Sequence, residues 1–435
     1  MWVPGTRVLV PARRERTESE MRHRRITNAL AGAGLLAVLL AGCAVTAPPS
    51  PEEVHAAALV LDAHADIEIP GRESPYVGED GRSQVAPDKM AAGEVDAVVM
   101  AIAVGPGPRT PEAYAAARQQ AEDELQAVRD LVADPANGLV LAQTPDELDA
   151  AHARGDRALI LGFQNARILD GDPARIDDWY EAGVRVFALT HMGHNRFADS
   201  SRPLWIASLG RHEPLEEHGG LSDLGREAIR RINARGAIVD ISQLSRNATL
   251  EVLRISEAPV IASHSAARAL TDVSRNLSDE ELDALKANGG VIHIPPFRGY
   301  LYDSTDPSLD RDVRAARRAA GIAEDYFYPF ELYWEIEDPE VKNTFLSAVS
   351  TRLGPGSVDQ MLDHIDYIVA RIGVEHVGIG TDFNHGSGLA GFAGAAGAPN
   401  ITRGLLDRGY TPEEVALIWG GNFQRVWRAA EAAAR

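Results

Sequence analysis

Cysteine is almost absent from this sequence: Cys43 is the only one among 435 residues. A single cysteine excludes an intramolecular disulfide and a metal site built from several thiolates. An excess of basic residues is also missing, since the formal net charge is -20. Without a basic surface that could displace the counterions of a phosphate backbone, the composition argues against a nucleic-acid partner.

Two further features are missing. After the N-terminal region, no apolar run is long enough to cross a bilayer. No glycine-rich phosphate-binding turn follows the first predicted strand, which disfavours a nucleotide-binding sheet. The length of 435 residues and the hydrophobic content of 45% suit a soluble single barrel with insertions.

The segment that starts at Met21 has the anatomy of an export signal. Its positive region holds Arg22, Arg24 and Arg25. An apolar core follows and closes with Leu39-Leu40-Ala41-Gly42-Cys43, which resembles a bacterial lipobox, whose cysteine is lipidated after cleavage. We therefore predict a signal segment over residues 1–42, with Met21 as the alternative start, and a tether over 43–54. The mature protein is expected to be exported and anchored by a lipid in the bacterial cell envelope.

Eight near-continuous apolar runs divide the rest of the chain. Such runs are expected of parallel strands that are buried on both faces. Stretches with helical spacing separate most of them, which predicts an α/β fold with a parallel sheet. Eight repeats predict closure into a (β/α)8 TIM barrel as one domain over residues 55–435, with an open doubly wound sheet as the alternative. The predicted strands are 59–64, 95–103, 158–164, 184–190, 237–243, 259–264, 289–294 and 376–381, and the clearest helices are 111–131, 222–235, 247–256 and 278–287.

One stretch interrupts the alternation of strands and helices. Residues 298–356 form an insertion rich in Tyr, Asp and Arg after the seventh predicted strand. A long loop on the catalytic face of a barrel is a candidate lid or pocket wall, and a packed surface subdomain is the alternative. Its aromatic residues include Tyr326, Phe327, Tyr328, Phe330, Tyr333 and Trp334.

Polar side chains end the first and the last of these runs. His64 and Asp66 lie two apart on the first strand, so both project to the same side, which at the carboxyl end of a barrel strand is the mouth. Two ligands of one cation need this arrangement. Asp382 ends the eighth run, where a buried carboxylate must be paired or coordinated. It could complete a metal site and accept a proton from water; a helix cap is the alternative.

Two more histidines end predicted strands. His264 ends the sixth and His191 follows the fourth. A single histidine at a strand end is more often a hydrogen-bonded core group, but two in register favour function. Arg275 follows in a loop, where its guanidinium could hold a substrate carboxylate in a bidentate manner. The pattern assigns no role to three other histidines, namely His194, His293 and His385.

Together these motifs resemble the membrane dipeptidase (renal dipeptidase) family, a branch of the amidohydrolase-type barrels. The resemblance runs from about Leu59 to Gly420-Gly421-Asn422-Phe423 and is strongest over 180–200, 220–290 and 376–383. It implies a zinc-dependent hydrolase that cleaves dipeptides or dipeptide-like amides by means of a metal-bound hydroxide. Barrels of this kind often pair, so a homodimer is a further expectation.

The resemblance also assigns roles to single residues. The family holds two zinc ions, and the matching ligands are His64, Asp66 and Asp382 for the first ion and His264 for the second. Asp382 is also the expected proton acceptor. His191 matches a histidine that orients the substrate, and Arg275 matches the arginine that receives the carboxylate of the dipeptide.

Two positions depart from the family pattern. Gln164 replaces the glutamate that bridges both ions, and Gln243 replaces the other histidine of the second site. An amide offers one neutral oxygen and an NH2 group that repels a cation, so both can only be weak ligands and one zinc ion is expected rather than two. Three outcomes remain open: a mononuclear peptidase, a dinuclear enzyme with weak amide ligands, or an envelope protein that has lost hydrolysis and binds or modifies a peptide-derived metabolite.

Overall fold

The computed structural model describes residues 48–321, 336 and 338–435, and its compact unit runs from Pro49 to Arg435. The predicted signal segment, Cys43 and the six aromatic residues named above for the insertion lie outside the described residues. Within those ranges, no helix combines the length and the apolar character needed to cross a bilayer.

Eight parallel strands form the barrel that the sequence predicts. In chain order the strands are β1 Leu61–Asp66, β2 Ala97–Ala103, β3 Leu139–Leu141, β4 Arg157–Gln164, β5 Val184–Ala188, β6 Trp205–Ile206, β7 Arg211–His212, β8 Ile238–Asp240, β9 Ile261–Ala262, β10 Val291–Ile294 and β11 Val377–Ile379. They pair in the order β1-β2-β4-β5-β8-β9-β10-β11. A parallel bridge between Ala65 and Phe383 brings β11 back to β1. The (β/α)8 fold is therefore confirmed, and each of the eight predicted runs overlaps a strand of the barrel.

Three of these strands lie outside the ring. Strand β3 was not predicted and adds to the first half of β4, and β6 pairs antiparallel with β7 as a separate hairpin.

Helices cover the outside of the barrel. In chain order they are α1 Pro51–Ala57, α2 Pro87–Ala92, α3 Pro111–Ala133, α4 Pro145–Arg154, α5 Arg175–Glu181, α6 Asp223–Ala234, α7 Arg246–Ile255, α8 Asp279–Asn288, α9 Arg298–Leu301, α10 Pro307–Ala319, α11 Pro339–Leu353, α12 Val358–Ile372, α13 Ala398–Asp407, α14 Pro412–Ala416 and α15 Asn422–Ala433. Many begin with proline, whose missing N–H costs nothing in the first turn. The side chain of Ser222 caps α6, and Ser278 with Glu281 forms the predicted capping box of α8. Four helices, α3, α6, α7 and α8, match the predicted helical stretches.

Two regions differ in detail from the sequence-based picture. Helix α1 begins at Pro51 and buries Val54 and His55, so the folded unit starts inside the segment 43–54 that we predicted as a tether. The described parts of the insertion 298–356 are largely helical, since they form α9, α10 and α11.

The amino-terminal end of the barrel is closed by apolar packing. Phe423 and Trp427 of α15 form one buried cluster with residues near the strand starts, such as Leu61, Ile261 and Val291. Burial of aromatic side chains of this size is a major stabilising contribution. This end of the barrel is therefore a packed core, and the polar side chains collect at the opposite, carboxyl-terminal end.

Candidate metal centre

The structure brings the predicted ligand positions together at the mouth of the barrel. They are His64 and Asp66 on β1, Gln164 at the end of β4, Gln243 after β8, His264 after β9 and Asp382 after β11. Ligand atoms of His64, His264 and Asp382 all lie within 4.8 Å of one another. Side chains more than 300 residues apart in the chain thus meet because parallel strands end on the same face.

His64 and Asp66 have the spacing that two ligands of one divalent cation need, and Asp382 lies close to His64. His64 Nε2 lies 3.4 Å from Asp66 Oδ1 and 4.0 Å from Asp382 Oδ1. Ligands about 2.1 Å from a tetrahedral ion are separated by about 3.4 Å. His64 Nε2 and Asp66 Oδ1 are buried and have no hydrogen-bond partner. An unpaired buried imidazole nitrogen beside an unpaired carboxylate oxygen, with the Asp382 carboxylate 4.0 Å from that nitrogen, is an arrangement that a zinc ion would satisfy.

Neighbouring hydrogen bonds hold His64 in this orientation. The carboxyl group of Asp62 accepts from the backbone N–H of His64 at 3.1 Å and from the N–H and hydroxyl of Thr381 at 2.7 and 2.6 Å. Burial raises the pKa of Asp62 to about 6. The Asp62–Thr381 contact ties the end of β1 to the residue before Asp382. The same hydrogen bonds therefore hold the two chain segments that carry His64 and Asp382.

His264 is held by a different set of partners. Its Nδ1 lies 2.8 Å from Ser263 Oγ, and that hydroxyl donates to Asp240 Oδ2 at 2.5 Å. Because the serine proton goes to Asp240, Nδ1 of His264 must be the donor and Nε2 the acceptor. Burial lowers the pKa of His264 well below its ordinary value, which keeps the ring neutral.

The two glutamines point their amide nitrogens at this acceptor. Nε2 of Gln243 lies 3.2 Å and Nε2 of Gln164 lies 3.5 Å from His264 Nε2. The orientation of Gln243 is fixed by Arg202, which donates to Gln243 Oε1 at 3.2 Å. The His264 lone pair is therefore occupied by N–H donors, and these residues do not fit a second cation.

The backbone is unusual where strands end at this site. Gln243 and Asp382 have φ angles of 68° and 56°, in the left-handed region that non-glycine residues rarely adopt. Asn165, directly after Gln164, has a φ of 85°. Such conformations cost free energy and concentrate at functional sites, where they aim side chains that a regular strand would direct elsewhere.

His191 and Arg275 flank the metal centre. Neither ring nitrogen of His191 has a hydrogen-bond partner, and burial lowers its pKa well below the ordinary value. Arg275 donates to the carbonyl oxygen of His264 at 2.9 Å, and its guanidinium lies 5.1 Å from the Tyr300 ring centre. The site is thus flanked by the neutral His191 imidazole, whose ring nitrogens are available to a ligand, and by the Arg275 guanidinium, which is held in place.

The sequence pattern missed His385, which contacts the metal centre directly. Its Nδ1 lies 2.7 Å from Asp66 Oδ2. Burial opposes the charged ring, but the adjacent Asp66 carboxylate raises the pKa of His385 to about 9. The only sequence feature that pointed to a role for His385 was its position three residues after Asp382. The other two unassigned histidines have structural contacts: His194 with Pro214 O at 2.7 Å and His293 with Ala262 O at 3.2 Å.

A cavity of about 340 Å³ opens beside the metal centre. Its walls include Asp66, His191 and His385 from the site, together with Tyr76 and Glu124. This volume is within the range of pockets that hold small molecules, and its polar walls suit a peptide-sized ligand.

Glu124 in the cavity wall should make stability depend on pH. Its buried carboxyl group accepts from Ala103 N and Gln120, and burial raises its pKa to about 8. Folding then favours the protonated form, so stability falls as pH rises from about 4.5 to 8. Glu124→Gln should gain stability relative to the wild type between pH 5 and pH 9, by at most about 5 kcal/mol. Thermal unfolding of metal-free protein at both pH values tests this, with exposed Glu122→Gln as control; an equal difference at both would contradict it.

Comparison with known proteins assigns the chain to a family. The model of the family described as membrane dipeptidase (peptidase family M19) matches residues 50–435. The chain belongs to this family. Dipeptidase aclJ of Aspergillus oryzae is 31% identical over 285 residues, which are 65% of this chain and 54% of aclJ. The match covers 59% of dipeptidase tcpJ of Claviceps purpurea and 62% of the uncharacterized dipeptidase C965.12 of Schizosaccharomyces pombe. The chain thus spans less than two thirds of the length of these three relatives.

Two solved structures share the fold. The probable dipeptidase PvdM of Pseudomonas aeruginosa is 34% identical, with a TM-score of 0.78 over 88% of this chain and 98% of PvdM. A metallo peptidase of Rhodobacter sphaeroides, solved with a phosphinate mimic of the dipeptide L-Ala-D-Ala, is 18% identical with a TM-score of 0.64 over 86% of this chain and 99% of its own. The second similarity supports the barrel fold alone.

Proposed function

We propose that this membrane dipeptidase family member is a metal-dependent hydrolase that cleaves dipeptides or dipeptide-like amides, with one zinc ion per chain. The observation that carries the proposal is the pair of unpartnered buried ligand atoms, His64 Nε2 and Asp66 Oδ1, 3.4 Å apart at the barrel mouth. Asp382 completes a three-ligand set, which is typical of catalytic zinc sites that keep a position for water or substrate.

The residues around the site can carry out amide hydrolysis. When bound, the ion supplies Lewis acidity that polarises the amide carbonyl and lowers the pKa of water. Asp382 would accept the proton of the attacking water and pass it to the leaving amine. His191, kept neutral by burial, can donate an N–H to the scissile carbonyl. Arg275 supplies a fixed positive charge for the C-terminal carboxylate.

The two amide contacts of His264 support the proposal of a single ion. They also favour a second candidate function. With the amide nitrogens of Gln164 and Gln243 directed at its Nε2, His264 is not available to a second ion. A protein that binds or modifies a small peptide-derived metabolite without hydrolysis could retain this pocket. The primary proposal ranks above it because the His64, Asp66 and Asp382 set is intact.

Turnover by zinc-loaded protein separates these functions. Purified protein should hydrolyse members of a small dipeptide panel, including dipeptides with a D-residue in the second position, while holding stoichiometric zinc. Protein that folds but stays metal-poor and shows no turnover after zinc addition would contradict the hydrolase and favour the binding function.

We also propose that the protein is exported and held in the cell envelope by a lipid on Cys43, and that it can form a homodimer. The support for the anchor is the sequence from Met21 to Cys43. Cys43→Ser should move the protein from the membrane fraction to the soluble fraction without changing its dipeptidase activity. Retention of the variant in the membrane fraction would contradict the anchor.

A further inference from the structure

The two oxygens of Asp66 have different partners. Oδ2 accepts a hydrogen bond from His385 Nδ1 at 2.7 Å, whereas Oδ1 has no partner and lies 3.4 Å from His64 Nε2. A carboxylate can only accept, so Nδ1 of His385 carries the proton. The hydrogen bond thus leaves one oxygen of Asp66 available on the side of the metal site.

His385 is itself held in place by ring contacts on two sides. Its ring stacks on Tyr76 with centres 5.2 Å apart and planes 24° apart. The edge of His191 approaches at 5.1 Å and 68°. The side chain is only 26% exposed, so the imidazole has little room to turn away from Asp66.

The backbone next to His385 is tied to the same strand as Asp66. The side-chain amide of Asn384 donates to the carbonyl oxygen of Asp66 at 2.8 Å. The backbone N–H of Asn384 donates to Gln84 Oε1 at 2.7 Å. The first bond ties the loop after β11 to the end of β1, and the second ties it to the segment before α2. Together they limit the movement of the imidazole relative to the carboxylate.

We propose that His385 is a positioning residue that orients the Asp66 carboxylate so that Oδ1 alone faces the metal site. The terminal torsion of an aspartate is broad and roughly two-fold, so a carboxylate without this restraint can rotate away from its ligand geometry. Outer hydrogen bonds to metal ligands typically contribute 10–100-fold in metal affinity. The inference rests on the metal site of the proposed function and adds the residue that sets one of its ligands.

Zinc affinity, measured by chelator competition on folded protein, tests the inference. His385→Phe keeps an aromatic ring against Tyr76 but removes the N–H donor, and it should weaken zinc binding by about 10–100-fold. His385→Asn places an amide N–H near the position of Nδ1 and should restore most of the affinity. His152→Phe is the matched control because it removes another histidine–aspartate contact, with Asp96 at 3.3 Å, at the opposite end of the barrel.

The outcomes separate this inference from the proposed function. Wild-type protein that binds no zinc overturns both. If the wild-type protein binds zinc and the His385→Phe variant binds it with equal affinity, only the role of His385 is overturned. An Asn variant as weak as the Phe variant also overturns it, because ring packing would then matter rather than the N–H. If the Phe variant does not fold, His385→Leu takes its place with the same criteria.

Discussion

Replacing Asp382 with asparagine is expected to lower kcat by about 10³-fold while the barrel stays folded. Asparagine has the same size but no anionic oxygen to accept a proton or to neutralise a cation. The backbone should tolerate the change, since Asp382 has a φ of 56° and asparagine adopts this region readily. Steady-state kinetics with a good dipeptide, together with thermal unfolding, measures both parts of the prediction.

A matched control exists for the Asp382 variant. Asp170 also has a positive φ, 54°, and its carboxylate pairs with Arg118 away from the metal centre. Asp170→Asn makes the same chemical change on the same kind of backbone and should leave kcat unchanged. Unchanged activity of Asp382→Asn would remove this residue from the mechanism.

The double change Gln164→Glu with Gln243→His is expected to raise bound zinc from one towards two ions per chain. It replaces two amide N–H donors that now face His264 Nε2 with a carboxylate and an imidazole, the ligands that zinc prefers. The lone pair of His264 would then be available to a cation. Elemental analysis after equilibrium dialysis against zinc measures the content directly.

Single variants show how the two positions contribute. Gln243→His alone removes the shorter contact and the partner of Arg202, whereas Gln164→Glu alone adds charge beside an otherwise unchanged His264. We expect each to raise zinc content less than the double variant does. Gln126→Glu, on the exposed face of α3, controls for the added negative charge. A zinc content that stays at one in the double variant would mean that the amides are not what excludes the second ion.

Much of the fold could be predicted because barrel strands are buried on both faces. Runs such as 95–103 and 158–164 are continuously apolar, and they became β2 and β4. Strand β3 was missed because three residues, Leu139 to Leu141, carry no periodicity. Helix α1 was missed because Pro51 and its neighbours resemble a proline-rich linker, and the burial of Val54 depends on its tertiary contacts.

The site could be predicted where it depends on strand periodicity, and not where it depends on loops. His64 and Asp66 share a face because strand side chains alternate. The direction of the Gln243 amide depends on Arg202, which lies 41 positions earlier in the chain. The contact of His385 with Asp66 spans 319 positions. Such contacts depend on how the loops at the barrel mouth fold back.

Zinc stoichiometry of the purified wild-type protein tests the central claim most directly. His64, Asp66 and Asp382 are proposed to hold one divalent cation, so elemental analysis should find one zinc per folded chain. Asp66→Ala should lose that zinc and keep the barrel folded. Wild-type protein that folds without binding zinc, even from a zinc-containing buffer, would contradict the account, and so would two tightly bound ions.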